Sequence, residues 1–389
     1  MSALLNAVRS VLEEKKRLSE LVESKLSVEE RERAGSDPHA KRPPRPCGVT
    51  VHTAIGCVYQ CKYCYIYDMG FKREIKPYPL SGLQLVYALL VNKYFIPGLR
   101  GTYIAIGSVS EPFHPAVVEK TVEYIEAFYK YLSNPVQFST KSYLSRHLCE
   151  KLAVISSGRV SPLVTIVSLN ESRALEPYAP SPEKRLESIK NLREVRLKPL
   201  LFLRPIIPGL TEKEYAEIID LAAECGAVGV VAGTLRVTRR IVEELREAGF
   251  DTSLILRRVK IPLEKMRSGV HYDVYTSDIK SQVASYARRK GLLFFPSACM
   301  ANLYTHRVSC WKMSLMSVDA PEKPRVIDYE AVRRVVEWLG GRVERVSYSR
   351  GELLVDVAGR VDFKLVSEVL RSQFLACVRV AQSERGRGH

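Results

Sequence analysis

The sequence predicts an α/β fold with parallel strands, and three observations predict it. Short runs of β-branched and apolar residues recur through the middle of the chain. Longer helical patterns separate them, and near residue 320 the character changes to a smaller α-β-β-α-β unit. Strand–helix alternation means parallel strands joined by helical crossovers. Six units suit a full or partial barrel of the TIM type, with chemistry at the C-terminal strand ends. An open doubly wound sheet produces the same pattern. The expected divisions are an N-terminal helix and basic linker (1–46), a barrel (47–318) and a small accessory domain (319–389).

Taken in order, residues 1–34 read as one or two surface helices, and "GSDPHAKRPPRPCG" (35–48) as a linker or extended arm. The strand candidates are 49–55, 102–107, 136–140, 163–169, 200–205 and 228–233, with "GLLFFP" (291–296) a further one. Helical patterns occupy 115–132, 181–195 and 211–226. Ser181-Pro182 and Thr211 are their entry signals, Thr211 as an N-cap with acidic residues following. In the last 70 residues "DYEAVRRVVEWLGG" is a helix stopped by two glycines. Arg350-Gly351 turns a hairpin, "VDFKLVSEVLRSQF" is a second helix, and "LACVRVA" is a final strand. The closing "QSERGRGH" reads as a frayed tail.

The formal charge of +16 suits a polyanionic partner. Residues 1–46 carry 10 basic against 8 acidic side chains and residues 320–389 carry 13 against 10, so +11 lies between. Scarce Asn and Gln beside abundant Lys, Arg and Glu also match a thermophile surface. No apolar run approaches a membrane span and no signal-peptide pattern is visible, so a cytoplasmic location is the expectation.

Nine cysteines, an odd number with one tight cluster, do not read as a disulfide framework. The cluster is "GCVYQCKYCY", with Cys57, Cys61 and Cys64 spaced C-x3-C-x2-C just past the first strand. Structural zinc wants four ligands, usually as two separated pairs, and no second C-x2-C or nearby His pair exists. A [4Fe–4S] cluster normally takes four thiolates, and three leave one iron open.

The spacing, its place after the first strand and the aromatic Tyr63 before the last cysteine resemble the signature of the radical SAM superfamily. The resemblance implies a partial (β/α)6 TIM-type barrel. It also implies a [4Fe–4S] cluster on Cys57, Cys61 and Cys64, with S-adenosylmethionine (SAM) chelating the open iron. The chemistry implied is reductive cleavage of SAM to a 5′-deoxyadenosyl radical that abstracts hydrogen, fed by an external electron donor. Strand-end positions then acquire expected roles in cofactor binding: Gly107, Ser108 and Glu111 in "IGSVSEPFHP"; Lys141 in "FSTKS"; Ser168 and Asn170 in "IVSLNE"; Arg204 in "FLRPIIPGLTE"; Gly233 and Leu235 in "VVAGTLR". "IGSVSEPFHP" departs from the Gly-Gly-Glu-like turn common in the family.

The wording of "GSVSEPFHP", "STKS", "LEPYAPSPEKRLESI" and "RPIIPGLTE" is similar to the spore photoproduct lyase-like, or DNA-repair photolyase-like, branch over about residues 47–305. That branch implies a nucleic acid substrate, DNA or RNA, and a cysteine hydrogen-atom donor, for which Cys299 is the candidate. Cys299 and Cys310 otherwise read as buried structural thiols. A peptide- or metabolite-modifying enzyme and a non-catalytic iron–sulfur sensor remain alternatives.

Overall fold

The computed structural model describes residues 3–315 and 326–383. Seven strands form one sheet: β1 (Gly48–Val51), β2 (Tyr103–Ile106), β3 (Val136–Thr140), β4 (Ser161–Thr165), β5 (Leu200–Ile206), β6 (Gly229–Thr234) and β7 (Leu293–Phe295). They stand side by side in chain order, and every neighbouring pair is parallel. A doubly wound sheet reverses its order at a switch point; this one does not, so it is the arc of a barrel. The arc is not closed: β1 and β7 are its two edges. "GLLFFP" thus supplies a seventh strand to the six-unit expectation.

The helices between the strands include α3 (Gly82–Val91), α4 (Val118–Tyr131), α5 (Arg146–Ile155), α6 (Pro182–Glu194) and α7 (Thr211–Glu224). Ile104, Phe138, Val164, Leu201 and Val230 point outward and join the helices in the main core. Side chains alternate along a strand, so their neighbours face inward. There Leu163, Leu200, Phe202, Val231 and Phe295 pack against Met300 and Ala301. These two belong to α10 (Ala298–Thr305), so this helix plugs one end of the arc. Two-sided burial explains why these strands read as near-continuous apolar runs. Thr211 is not an N-cap: it is the first helical residue of α7, and its hydroxyl accepts the Ile207 N–H at 2.8 Å.

Two expectations are corrected at the N-terminus. The first helix, α1 (Ala3–Glu23), is no mere surface appendage. Leu18 and Val22 enter the main core, whereas Leu5 and Val8 enter the C-terminal one. After α2 (Val28–Ser36), the basic segment is pinned rather than free: Asn92 Nδ2 donates to the carbonyls of His39 and Arg42 at 2.8 and 2.7 Å.

The C-terminal unit comprises α11 (Tyr329–Trp338), β8 (Arg342–Ser349), β9 (Glu352–Ala358), α12 (Phe363–Phe374) and β10 (Cys377–Gln382). β8 and β9 form the expected hairpin, and β10 lies parallel to β9. Its core of Val332, Val336, Val355, Val369 and Leu370 is separate from that of the barrel. We infer three units from this packing, with α1 bridging the other two. The expected 318/319 boundary and most of the tail lie outside the described residues. Among the described residues no helix is long and apolar enough to cross a membrane.

Two buried histidines make the fold acid-sensitive. His306 closes the end of α10: Nδ1–H donates to the Asn302 carbonyl at 2.8 Å, and Nε2 faces the Tyr129 hydroxyl at 2.9 Å. Burial pushes His306 down to about 4, and burial with His39 and Arg42 beside it does the same to His52. Both stay neutral in the fold but protonate near 6.5 when unfolded. Their contribution is therefore complete above pH 6.5 and is lost as pH falls towards 4, roughly 3 kcal/mol each. In urea titrations His306→Asn makes the fall in stability between these values shallower by about 1.4 kcal/mol per pH unit. An unchanged slope contradicts this account.

Candidate active site

The cysteine loop follows β1 and is held by its own backbone and its tyrosines. Gly56, at φ +77°, opens the loop; a Cβ there would stand 2.3 Å from the Glu74 carbonyl oxygen. The Cys57 N–H donates to the Lys72 carbonyl and the Lys62 N–H to the Leu175 carbonyl, at 3.3 and 2.8 Å. Tyr59 pairs with the Ser142 hydroxyl at 2.7 Å. Tyr65 donates to the Ser108 carbonyl at 3.0 Å, and Tyr67 to the Cys57 carbonyl at 3.1 Å. Tyr63 donates to Glu176. Downstream, Arg240 on α8 (Arg239–Glu247) grips both carboxylate oxygens of Asp68, at 3.0 and 2.7 Å, and also donates to the Cys64 carbonyl.

All three cysteines line one cavity of 480 Å³ at the C-terminal ends of the strands. Burial pushes the Cys57 thiol up to about 11, with Glu111 and Cys64 adding to the rise, and raises Cys61 and Cys64 as well. Loading of a metal cluster must displace those protons. No three His, Cys, Asp or Glu side chains among the described residues converge on a single ion. A cubane asks for something else, one thiolate on each of several irons. The donor set fits that group: three thiols on one anchored loop, and no fourth cysteine in the cavity wall.

Tyr63, Gly107, Ser108, Glu111, Lys141, Arg204 and Leu235 line the same cavity. Gly107 has φ +97°, and a Cβ there would lie 2.4 Å from the Ser139 carbonyl oxygen. Only glycine lets the β2 turn come this close to β3. Glu111 does not face a cation. It ties the β2 and β3 ends together, accepting from the Thr140 hydroxyl, the Lys141 N–H at 2.9 Å and the Phe113 N–H at 3.2 Å. Lys141 Nζ lies over the Tyr63 ring at 5.6 Å and 3.9 Å from Glu176. Burial works to lower its pKa, but facing Cys61 and Glu176 outweigh this and raise it.

Three expected residues stand elsewhere. Ser168 is buried and donates to Glu214 at 2.8 Å, and Asn170 is exposed on the following turn; neither enters the cavity wall. Cys299, on α10, also lies outside it, with Ser297 Oγ 3.3 Å away and Tyr103 as a hydrogen-bond neighbour. Cys47 and Cys310 are close by, and burial lifts Cys47 to about 11. Gly233 lines an adjoining cavity and serves Arg204: a Cβ there would lie 2.5 Å from Arg204 Cδ.

Sequence reasoning missed the pair beneath the site. Glu176 and Arg185 form an ion pair with both side chains 1% exposed. Arg185 also donates to the carbonyls of Pro180 and Thr165, at 2.7 and 3.2 Å. Both residues sit in "LEPYAPSPEKRLESI", in which a helix start at Pro182 obscured Arg185.

Comparison with known proteins agrees with this geometry. The radical SAM superfamily model matches residues 51–222. An uncharacterized protein of Methanocaldococcus jannaschii is 30% identical over 188 residues, covering 45% of this chain and 69% of that one. An uncharacterized protein of Acidianus two-tailed virus is 26% identical over 241 residues, 56% of this chain and 75% of that one. Among solved structures, a spore photoproduct lyase variant with bound AdoMet and dinucleoside spore photoproduct superposes at TM-score 0.50. It is 21% identical, with 64% of this chain and 74% of that one covered, and so shows a shared fold.

Proposed function

The chain belongs to the radical SAM superfamily, and we propose that its substrate is a nucleic acid strand, which it repairs or modifies. It is a radical SAM enzyme, and the family's cofactors are a [4Fe–4S] cluster and SAM. When bound, they supply reductive cleavage of SAM to methionine and a hydrogen-abstracting 5′-deoxyadenosyl group. Cys57, Cys61 and Cys64 would hold the cluster. Gly107 and Ser108 present backbone to the same cavity, Leu235 offers an apolar wall, and Lys141 and Arg204 offer cations to a carboxylate. Tyr59, Tyr63, Tyr65 and Tyr67 keep the loop in place with their hydroxyls.

The observation that carries the substrate class is charge. Of the formal +16, +11 falls between residues 47 and 319, the stretch that builds the barrel and both cavities. Phosphate neutralisation releases counterions, so binding must weaken steeply with salt. The solved relative binds a dinucleoside photoproduct, which supports the same class. Titrating the reconstituted protein with DNA and with RNA across a salt series tests the reading. A log–log slope of about −3 or steeper, from four or more phosphates on single strands, is expected. A flat response contradicts it.

A further inference from the structure

Beside the cysteine cavity lies a second one of 730 Å³, sharing Phe202, Arg204, Thr234, Arg236 and Ala298 with it. Five cations line it, Arg204, Arg236, Arg258, Lys260 and Lys280, against one carboxylate, Asp273. Two of the five are neutralised. Arg236 pairs with Asp273 at 2.9 Å, and Arg258 grips Asp278 at 2.7 and 2.9 Å. Arg204, Lys260 and Lys280 have no carboxylate partner among the described residues. Arg204 makes no polar contact at all there; it lies over the Phe202 ring at 5.8 Å, its stem admitted by Gly233. Lys280 Nζ reaches only the Pro296 carbonyl, at 2.7 Å. Burial together with Arg204 lowers the Lys280 pKa, the mark of an ammonium without an anion beside it.

Two further features shape the cavity. It receives the start of the helix Ser277–Arg289 (α9), and Thr276 is fixed there by Thr234, with the hydroxyls 3.1 Å apart. Tyr275 stands in the wall with 61% of its surface exposed. An exposed aromatic among unpaired cations is the combination that single strands use, base on ring and phosphate on cation. SAM is monocationic at its sulfonium, so it does not call for three unpaired cations beyond its own cavity.

We propose that this second cavity is the substrate-strand subsite, holding a backbone phosphodiester between Arg204, Lys260 and Lys280 with an adjacent base stacked on Tyr275. Its position next to the cysteines would then set which nucleotide enters the reactive cavity. The inference rests on the nucleic acid reading above, and the test separates the two.

Binding of labelled oligo-dT and oligo-U to the reconstituted full-length protein is followed by anisotropy across a salt series. Lys260→Gln/Lys280→Gln is expected to make the log–log slope shallower by about 1.4, at about 0.7 per phosphate contact. Tyr275→Ala weakens binding roughly tenfold with the slope unchanged, and Tyr275→Phe restores it. Lys16→Gln, on the far exposed face of α1, changes neither. If wild-type protein shows no salt-dependent binding, both readings fall. If wild type binds with a steep slope and the double variant keeps that slope and affinity, the subsite falls and the substrate class stands. Thermal midpoints of each variant exclude misfolding as the cause.

Discussion

Replacing Cys57, Cys61 and Cys64 together with alanine abolishes iron incorporation and reductive SAM cleavage while leaving the protein folded. Both halves follow from the loop. The thiols are the donor set of the 480 Å³ cavity, so without them a cluster has no protein ligand there. The loop's shape comes from other groups: Gly56, the four tyrosine hydroxyls and the Arg240–Asp68 clamp. Cys61 is fully buried, and its truncation costs on the order of 1 kcal/mol of packing. Cys57 and Cys64 are partly exposed and cost less. After anaerobic reconstitution the variant should lack the visible absorbance of the wild type and release no 5′-deoxyadenosine. Its far-ultraviolet dichroism should be unchanged. Equal 5′-deoxyadenosine from both proteins contradicts the assignment of the ligands.

Glu176→Gln destabilises the protein by about 3 to 5 kcal/mol, the usual cost of breaking a buried ion pair. Gln cannot compensate the buried Arg185 charge, and it weakens what Tyr63 and Lys141 receive from the same carboxylate. Burial works to raise the Glu176 pKa, but Arg185 and Lys141 outweigh it and lower it. The carboxylate is thus charged throughout the neutral range, and this contribution is lost only as pH falls through its depressed pKa. Adding Arg185→Met removes the orphaned charge, so the double variant recovers part of the loss. Urea unfolding measures both. A double variant no more stable than Glu176→Gln alone contradicts the pair argument. Since Tyr63 adjoins Cys64 in sequence, the single variant should also load iron more slowly.

How much of this was legible beforehand depends on the range of the interactions. The strands were readable because parallel strands are apolar on both faces, and β2, β3 and β5 fall within a residue or two of their expected limits. The choice between barrel and doubly wound sheet was not readable, since strand order is a long-range property. The cysteine loop was legible because a cubane dictates close spacing on one segment. Ser168 and Asn170 misled because a polar residue after a strand can turn to a neighbouring helix, as Ser168 does towards Glu214. Glu111 misled in another way: it bonds backbone and hydroxyl donors rather than a cation. Glu176 and Arg185 were invisible because their importance comes from burial. The tyrosine anchors had a signal, the regular interleaving of Tyr and Cys in "VYQCKYCYIY", that could have been read.

The central claim, a radical SAM enzyme whose substrate is a nucleic acid, is tested most directly by following hydrogen. The reconstituted protein is given SAM, a reductant and a perdeuterated oligonucleotide pool, DNA and RNA in separate reactions, and the 5′-deoxyadenosine is weighed by mass spectrometry. Hydrogen abstraction from the strand predicts deuterium in 5′-deoxyadenosine from one of the two pools, or in SAM if the cofactor is regenerated. Unlabelled 5′-deoxyadenosine and unlabelled SAM from both pools, with label appearing instead from a deuterated peptide, would contradict it.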